Sequence, residues 1–346
     1  MIIRKIFVII FWVINMNFIG LDIGGTKCAV TLGKSCGELP DILEKCVFPT
    51  ADCASPFEVM ERMLSNMGDV LEKAKLNFKD IAAIGISCGG PLDSKRGIIQ
   101  SPPNLPGWDD IEIVRFFEEK TGISTYLQND ANACAVAEWK YGAGKGTENM
   151  IFLTFGTGLG AGLILDGRLF CGASDMAGEI GHVRLREEGP IGYGKRGSCE
   201  GFCSGAGIRK MGITAVEEQL QQGNTPRLYE AAEKNIENIS AKLIAELAIN
   251  ESDPLCLGIY RKCGEMLGET LSILIDLFNP ELIVLGGVYM RSHNLLDKYM
   301  YDVIEKETLY HARRVCKIAP AGLLEKIGDY AALSVAASEY ERRNKQ

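Results

Sequence analysis

Two glycine-rich loops are the parts of this chain whose residues are best suited to chemistry. The first, Gly24-Gly25-Thr26-Lys27, follows an apolar run that carries Asp22 near its end, and a second apolar run comes after it. This pattern predicts a β-hairpin whose glycine and threonine N–H groups are open to a ligand. Such groups bind phosphate oxygens, and Asp22 is suited to the magnesium that accompanies them. A hairpin with purely structural glycines is the alternative.

The second loop, Gly156-Thr157-Gly158, follows a predicted strand over 149–155, and a further strand then enters a tight Asp166-Gly167 turn. Each half of the chain therefore opens with a strand, a Gly/Thr loop and another strand. Two anion-binding loops in two halves predict one phosphate chain that is gripped from both sides of a cleft.

Composition limits the classes of function. A length of 346 residues is sufficient for two domains, and 47% hydrophobic with 24% charged residues is typical of a soluble globular protein. The net charge of −8 argues against a nucleic-acid-binding surface, which needs clustered Lys and Arg. The 12 cysteines have no regular spacing, so a reduced cytoplasmic location is expected rather than a disulfide framework. No membrane or nucleic-acid partner is expected.

Residues 1–15 form an apolar extension that we expect to lie outside the fold. Arg4 and Lys5 precede a short apolar run over 6–14, which is too short to span a membrane. No small-residue cleavage site follows, and Met16 would be a natural start for a cytoplasmic protein. A signal peptide is the alternative.

Hydrophobic periodicity predicts an α/β chain, and the segment 142–147 is the best candidate for a hinge between its halves. Strands are predicted over 45–49, 81–87, 125–129 and 282–288. Helices are predicted over 57–75, 110–121, 131–141, 226–249 and 254–278, with a glycine-rich loop over 172–207.

The order of the motifs resembles that of the ROK family of sugar kinases and repressors, within the actin-like ATPase superfamily, from about residue 17 to 337. The motifs that carry the resemblance are Asp22-Ile23-Gly24-Gly25-Thr26-Lys27, Pro103-Asn104-Leu105-Pro106-Gly107-Trp108, Asn129-Asp130-Ala131-Asn132-Ala133, Gly156-Thr157-Gly158-Leu159-Gly160-Ala161-Gly162 and Gly178-Glu179-Ile180-Gly181-His182-Val183. The resemblance implies a two-lobed actin-like ATPase (ribonuclease H-like) fold with the active site in the interlobe cleft. We expect an N-terminal lobe of 16–135 plus 329–346, a C-terminal lobe of 136–328, and a homodimer.

Sugar phosphorylation needs a base for the attacking hydroxyl, and Asp130, at a predicted strand-to-helix junction, is the candidate. A simple helix N-cap is the alternative for this residue. Asp22 is expected to hold magnesium. The expected phosphate ligands are the main-chain groups of Gly24, Gly25, Thr26, Gly156, Thr157 and Gly158. Lys27 either adds positive charge to this site or is a solvated strand residue.

The resemblance also implies the nucleotide and sugar contacts. Gly286 and Gly287 match the family's adenosine-side loop, although an ordinary strand-ending turn is the alternative. Glu179 and His182 are three residues apart, which places them on one face if the segment is helical. The residues expected to bind the sugar are Gly90, Asn104, Asn129, Asp130, Glu179, His182 and Glu200.

One departure from the family concerns its usual zinc signature, C-x-C-G-x-x-G-C-x-E. Ile191, Tyr193 and Ser198 stand where thiolates are expected, and only His182 remains at its matching position. Because zinc needs about four N or S ligands, we expect no structural zinc. A rearranged site that uses the nearby Cys199 or Cys203 is the alternative.

The resulting expectation is an ATP- and Mg²⁺-dependent kinase that transfers the γ-phosphate to a hydroxyl, at C6, of a hexose or N-acetylhexosamine. The alternatives are a sugar-responsive ROK-type regulator and a non-catalytic sugar sensor. Only 21 residues precede Asp22, which argues against a DNA-binding module ahead of the first loop. A sensor would need a damaged Asp130 or phosphate loop, and both motifs are intact.

Overall fold

The structure is a computed structural model that describes residues 15–36 and 39–344, so the predicted extension lies outside the described residues apart from Asn15. The chain is a mixed α/β protein, as predicted. Its first elements, in chain order, are β1 (Asn17–Ile23), β2 (Lys27–Lys34), β3 (Asp41–Pro49), α1 (Pro56–Lys73), β4 (Ile81–Cys88), β5 (Leu92–Asp93), β6 (Ile98–Ile99), α2 (Ile113–Thr121), β7 (Thr125–Asn129) and α3 (Asp130–Tyr141).

The remaining elements begin with a second strand–loop–strand unit and continue with a largely helical region. They are β8 (Met150–Phe155), β9 (Leu159–Leu165), β10 (Arg168–Phe170), β11 (Ile191–Gly192), β12 (Lys195–Arg196), α4 (Cys199–Phe202), α5 (Gly205–Gln221), α6 (Arg227–Ala231), α7 (Ala241–Asn250), α8 (Pro254–Phe278), β13 (Leu282–Leu285), α9 (Val288–Glu307), α10 (Tyr310–Val315), β14 (Lys317–Pro320) and α11 (Ile327–Asn344).

Two five-stranded sheets share one design. In the first, the strand order is β3-β2-β1-β4-β7, and in the second it is β10-β9-β8-β13-β14. Each opens with an antiparallel pair, β1 with β2 and β8 with β9, and then adds parallel strands. β1, β4 and β7 are parallel, as are β8, β13 and β14. The carboxyl ends of each parallel set therefore meet at one edge of their sheet.

The chain divides into two compact units. Unit 1 contains the described residues of 1–146, 169–177 and 322–346, and unit 2 contains 147–168 and 178–321. The core of unit 1 includes the buried faces of β1, β4 and α1, with Ile19, Ile84 and Met63 fully buried. In unit 2, the long helix α8 buries one side against α9 and the shorter helices.

Glycines on two central strands of unit 1 let helix α11 lie directly on the sheet. A Cβ atom added to Gly85 would lie 2.1 Å from the Ala332 carbonyl oxygen, and one added to Gly20 would lie 2.9 Å from the Leu333 nitrogen. Alanines supply the matching small face of the helix, since Ala332 and Ala336 are buried. This close packing brings the first turn of α11 towards the end of β1, where Asp22 lies.

Two helix predictions are wrong in part, and one helix was not predicted. The predicted helix over 226–249 is two helices, because Glu233 and Lys234 take left-handed φ values of 56° that end α6, and Ser240 caps a new helix, α7. The helix predicted from 110 begins at Ile113, since Asp110 also has a left-handed φ of 51°. Helix α5 was not predicted at all, and the glycines of its first turn explain why.

The strand predicted over 282–288 is shorter than expected, because β13 ends at Leu285 and α9 begins at Val288. Among the residues that the structure describes, no helix combines the length and the apolar character that crossing a membrane requires.

Candidate active site

The first glycine loop is a tight hairpin at the end of β1. The Gly24 N–H donates to the Lys27 carbonyl at 3.1 Å, and the Thr50 hydroxyl donates to the Gly24 carbonyl at 2.6 Å. Gly25 and Thr26 form the exposed tip. A Cβ atom on Gly25 would lie 2.3 Å from the Asn104 carbonyl oxygen, so only glycine permits this approach of the two loops. The hairpin thus presents main-chain groups beside Asn104.

Asp22 lies one residue before the last position of β1 and is half-buried. Burial raises the pKa of its carboxyl to about 6, and the negative charge of Asp130 raises it further, while Lys27 lowers it. The first turn of α11 is close, since a Cβ on Gly328 would lie 3.8 Å from an Asp22 carboxylate oxygen. The negative charge of an ionised Asp22 carboxylate is therefore only partly neutralised by neighbouring positive charges.

Asp130 is the first residue of α3, directly after β7. The N-cap is Asn129, whose Oδ1 accepts from the N–H groups of Ala131 at 2.9 Å and Asn132 at 3.4 Å. The alternative interpretation of Asp130 as the helix N-cap is therefore wrong. One carboxylate oxygen of Asp130 accepts from the Ala131 N–H at 2.8 Å.

The Asp130 residue is exposed on one side. Desolvation by the surrounding protein nevertheless raises the pKa of its carboxyl, and the hydrogen bond from Ala131 opposes this shift. The result is a solvent-accessible carboxyl group with increased basicity, which is the property that a general base requires.

Parallel register brings these groups to one edge of unit 1. Ile23 at the end of β1 pairs with Cys88 at the end of β4, which in turn pairs with Asn129 at the end of β7. Gly90 follows β4, and a Cβ on it would lie 3.1 Å from the Asn129 side-chain nitrogen. Asp22, Gly90, Asn129 and Asp130 thus share the carboxyl edge of the parallel strands, the usual place for a ligand in such sheets.

The second glycine loop has the equivalent place in unit 2, after β8. The Gly156 N–H donates to the Gly158 carbonyl at 3.0 Å, and the Gly156 carbonyl accepts from the Gly205 N–H at 2.8 Å, at the start of α5. Within the described part of the chain, the Thr157 and Gly158 N–H groups have no hydrogen-bond acceptor. A Cβ on Gly156 would meet no atom within 4 Å, so the space above this residue is open.

Gly286 and Gly287 follow β13 and lie against this loop. The Gly286 N–H donates to the Leu153 carbonyl at 3.0 Å. Gly287 has a φ of +62°, and a Cβ on it would lie 1.9 Å from the Phe155 carbonyl oxygen. Both features require glycine at position 287.

The predicted sugar ligands of unit 2 gather at the start of β9. Glu179 precedes a short 3₁₀ helix, Ile180–His182, whose three-residue turn places Glu179 and His182 on the same side. Glu200, in α4, accepts from the Leu159 N–H at 3.1 Å. His182 is exposed and packs edge-on against Tyr193, with ring centroids 6.0 Å apart.

Two supporting residues were not predicted. Thr50 fixes the first glycine loop, but nothing in its sequence context marks it. Gln128 is a buried polar residue in β7, which is a usable signal. Its Oε1 accepts from the Asn129 N–H at 2.9 Å and from the Asn132 amide at 3.0 Å, so it orders the segment around Asp130.

The carboxylates of unit 1 fit a magnesium ion that keeps most of its waters. Asp22 feels the charges of Asp130 and Asp329, and Asp329 forms an ion pair with Lys45. A divalent cation beside Asp22 would compensate this excess of negative charge. The described residues contain no group of three or more His, Cys, Asp or Glu side chains arranged to hold a metal. This arrangement fits a cation held mainly by a nucleotide and water.

Comparison with known proteins places these features in a family. The profile of the ROK family matches residues 18–338. The chain is 29% identical over 283 residues to a glucokinase of Thermotoga maritima, covering 82% of this chain and 85% of the relative. It is 31% identical over 273 residues to a glucokinase of Streptomyces coelicolor, covering 78% and 81%. It is also 28% identical to a xylose repressor of Caldicellulosiruptor bescii, covering 78% and 65%.

Solved structures share the fold. A ROK family glucokinase from Streptomyces griseus, in complex with glucose and AMPPNP, has a TM-score of 0.73 and 26% identity, covering 93% of this chain and 99% of that one. A ROK family transcriptional regulator has a TM-score of 0.79 at 24% identity, covering 95% and 80%. These similarities confirm the predicted actin-like α/β fold class.

Proposed function

The chain belongs to the ROK family, and on that premise we propose that it is an ATP-dependent sugar kinase. It transfers the γ-phosphate of ATP to the C6 hydroxyl of a hexose or N-acetylhexosamine. The observation that carries this proposal is the Asp130 carboxyl, which is accessible, has a raised pKa and does not occupy the N-cap position, since Asn129 takes it. A residue kept only for capping would not need these properties.

Asp130 accepts the proton of the sugar hydroxyl while that oxygen attacks the γ-phosphorus and the bond to the β-phosphate oxygen breaks. The products are the sugar phosphate and ADP. The main-chain N–H groups of Gly25, Thr26, Thr157 and Gly158 donate to the phosphates, and Lys27 adds positive charge. Asp22 would hold a magnesium ion, which would supply charge neutralisation on the phosphates.

The sugar contacts that the family resemblance implies are supported by the chemistry of the side chains. Asn104 and Asn129 offer amide groups, Glu179 and Glu200 offer carboxylates, and His182 offers an imidazole. Ring hydroxyls donate to the carboxylates and accept from the amides. Gly90 lies against the Asn129 amide, so a larger residue there would displace it. Gly286 and Gly287 form the adenosine side of the nucleotide site.

The first of two other candidates is a sugar-responsive regulator, because relatives of the chain include a xylose repressor. A kinase is favoured over it, since repression does not require a carboxyl with the properties of Asp130. The same argument disfavours the second candidate, a non-catalytic sensor. We further propose that the protein acts in the cytoplasm as a homodimer and contains no structural zinc.

The test is a panel of sugars assayed with ATP and Mg²⁺, in which ADP and sugar phosphate are both measured. The panel contains glucose, mannose, allose, fructose, N-acetylglucosamine and N-acetylmannosamine. Stoichiometric formation of ADP and a sugar 6-phosphate with one of them is expected. Nucleotide and sugar binding without any transfer would overturn the kinase proposal in favour of a sensor or regulator.

A further inference from the structure

Gln128 is a buried polar side chain near the end of β7, directly before Asn129 and the proposed base, Asp130. Its Oε1 accepts from the Asn129 N–H at 2.9 Å and from the Asn132 side-chain amide at 3.0 Å. The first donor belongs to the backbone at the end of the strand, and the second belongs to the first turn of α3. Gln128 therefore joins the end of β7 to the helix that Asp130 begins.

The nitrogen of the Gln128 amide is held by Cys171. Gln128 Nε2 donates to the Cys171 sulfur at 3.4 Å, and Asn132 Nδ2 donates to the same sulfur at 3.9 Å. Burial raises the pKa of the Cys171 thiol to about 11, so the sulfur carries no charge at neutral pH. We call Gln128, Asn132 and Cys171 the amide–thiol cluster.

All three members of the amide–thiol cluster belong to unit 1, although Cys171 comes from a separate stretch of sequence, 169–177. This stretch has a second attachment within unit 1, because Asp175 accepts from the Ser94 N–H at 2.8 Å and from the Ser94 hydroxyl at 2.9 Å. The Ala177 N–H donates to the Cys171 carbonyl at 3.1 Å, which closes the loop between them. The Cys171 sulfur is therefore fixed from within the unit that contains β7 and α3.

The hydrogen bonds of the cluster fix the orientation of both amides. The Asn129 N–H is a main-chain donor, so the Gln128 oxygen must face it and the Gln128 nitrogen faces the sulfur. The Asn132 nitrogen then faces the Gln128 oxygen, and within the described residues the buried Asn132 Oδ1 has no hydrogen-bond partner. An unpaired buried acceptor costs stability. A geometry kept at a cost in stability is typical of a functional site.

We propose that Gln128 is a positioning residue of the sugar site, held in place by Cys171, and this inference rests on the proposed kinase function. Gln128 fixes the backbone at Asn129, whose Oδ1 caps α3 and whose side-chain nitrogen lies beside Gly90. It thereby sets both the Asn129 amide, which binds a sugar hydroxyl, and the Asp130 carboxyl, which accepts the proton. Without this constraint, the base and the bound hydroxyl lose their common alignment.

The role predicts an effect that is selective for the sugar. Displacement of Asn129 and Asp130 raises the KM for the sugar and lowers kcat. The glycine loops keep their own hydrogen bonds, so the KM for ATP is retained. A purely structural role would only reduce the amount of folded enzyme, which lowers the apparent kcat and leaves both KM values unchanged.

The test uses Gln128→Met and Cys171→Ala, assayed with ATP, Mg²⁺ and the sugar of the panel that the wild type phosphorylates fastest. Gln128→Met keeps the length of the side chain and removes its hydrogen bonds, so kcat/KM for the sugar should fall about tenfold or more. Cys171→Ala removes the acceptor of the Gln128 nitrogen, and a fall of about fivefold is expected. The KM for ATP should change by less than about twofold in both variants.

Two further variants serve as controls. Cys171→Ser is the conservative replacement, because a hydroxyl oxygen also accepts hydrogen bonds from amides. It should keep kcat/KM for the sugar within about twofold of wild type. Cys46 is another half-buried cysteine of unit 1, on β3, so Cys46→Ala repeats the cysteine change elsewhere. This variant should keep wild-type kcat and KM values.

A kcat/KM for the sugar within about twofold of wild type in Gln128→Met would overturn the inference, as would equal losses in Cys171→Ala and Cys171→Ser. So would a loss of activity with an unchanged sugar KM, or an equal rise in the KM for ATP, because these results indicate lost or loosened protein. If Gln128→Met does not fold, the two Cys171 variants decide. A wild type that binds AMPPNP but phosphorylates no sugar of the panel overturns the kinase proposal and this inference together, whereas failure of the variant predictions alone overturns only the inference.

Discussion

Asp22 is the residue at which stability and the proposed function oppose each other. Burial and the neighbouring Asp130 charge raise the pKa of its carboxyl from an ordinary value of 3.8 to about 6. The native state therefore holds the Asp22 proton more tightly than the unfolded chain does. As pH rises from about 4 to about 6, the native state loses stability through this group, and above pH 6 the full penalty applies.

We therefore predict that Asp22→Asn stabilises the ligand-free protein at pH 8. The expected gain in the free energy of unfolding is about 1–2 kcal/mol, since a shift of about two units is partly offset by solvent at a half-buried site. The gain should shrink as the pH approaches 4. Urea unfolding at pH 8 and pH 5 measures it, with Asp302→Asn, at an exposed position of α9, as the control. Equal stability of mutant and wild type at pH 8 would contradict the assigned pKa shift.

Asp130→Asn tests the proposed base. The substitution keeps the shape of the side chain but removes its ability to accept a proton, so kcat should fall by about 10²–10⁴-fold. AMPPNP and sugar binding, measured by calorimetry, should remain. The wild-type activity should decrease as pH falls through the raised pKa of Asp130, because the protonated carboxyl is no base.

Asp110→Asn is a suitable comparison for this variant. Its left-handed φ of 51° suits asparagine as well as aspartate, so little change in either activity or stability is expected. Turnover of Asp130→Asn at a rate similar to wild type would show that another group accepts the proton.

At the level of elements, Gly156 and Gly287 differ in the space around them and in their backbone conformation. Gly156 faces open space, whereas Gly287 has a positive φ and a neighbouring carbonyl at a distance no Cβ tolerates. We predict that Gly156→Ala leaves thermal unfolding unchanged and raises the KM for ATP about tenfold, because its methyl group occupies space needed by phosphate. Gly287→Ala should lose more than about 1 kcal/mol of stability. An unchanged KM for Gly156→Ala would remove Gly156 from the phosphate site.

The segment 191–200 stands where the family resemblance places a zinc signature, and it allows a prediction about metal content. Burial raises the pKa of the Cys199 thiol to about 11, and it raises that of Cys203 well above its usual range. Cys203 points towards the Cys263 carbonyl, while His182 is exposed at the surface. Since zinc binds thiolates, these buried thiols oppose a rearranged site.

Elemental analysis of the purified protein is therefore expected to find far less than one zinc per chain. Dialysis against a zinc chelator, followed by the return of Mg²⁺, should leave the unfolding temperature unchanged. One zinc per chain, together with a lower unfolding temperature after chelation, would contradict this prediction.

The elements that were predicted well are those whose own residues determine them. α8 carries its signals locally, with Asp253 as N-cap, Pro254 in the first turn and Asn279 in a left-handed C-terminal position. Helix α5 starts with glycines, and its Ser204 cap also resembles an ordinary loop residue. The contact of Glu200 with the Leu159 N–H joins residues 41 apart in sequence, so no local pattern reveals it.

At the scale of the whole molecule, the two sheets repeat one strand arrangement. The sequence predicts this repetition because both halves contain the same strand–loop–strand motif. The contacts of Glu138 could not be predicted, because a glutamate in a helix near a glycine-rich segment is ordinary in sequence. The side chain of Glu138 is buried and accepts the N–H of Gly322, 184 residues further along the chain, which only the fold brings to it. Long-range contacts of buried polar side chains are thus what sequence patterns miss.

The net charge of the whole chain favours the proposed kinase over a repressor. A net charge of −8 opposes the approach of DNA phosphates, whereas DNA-binding proteins gain affinity by neutralising phosphates with Lys and Arg. We predict no saturable binding of a labelled DNA duplex up to about 10 μM protein at about 50 mM salt, the condition that most favours electrostatic binding. Fluorescence anisotropy measures this, and the kinase assay on the same sample controls for active protein. Tight DNA binding that a sugar releases would instead establish a regulator.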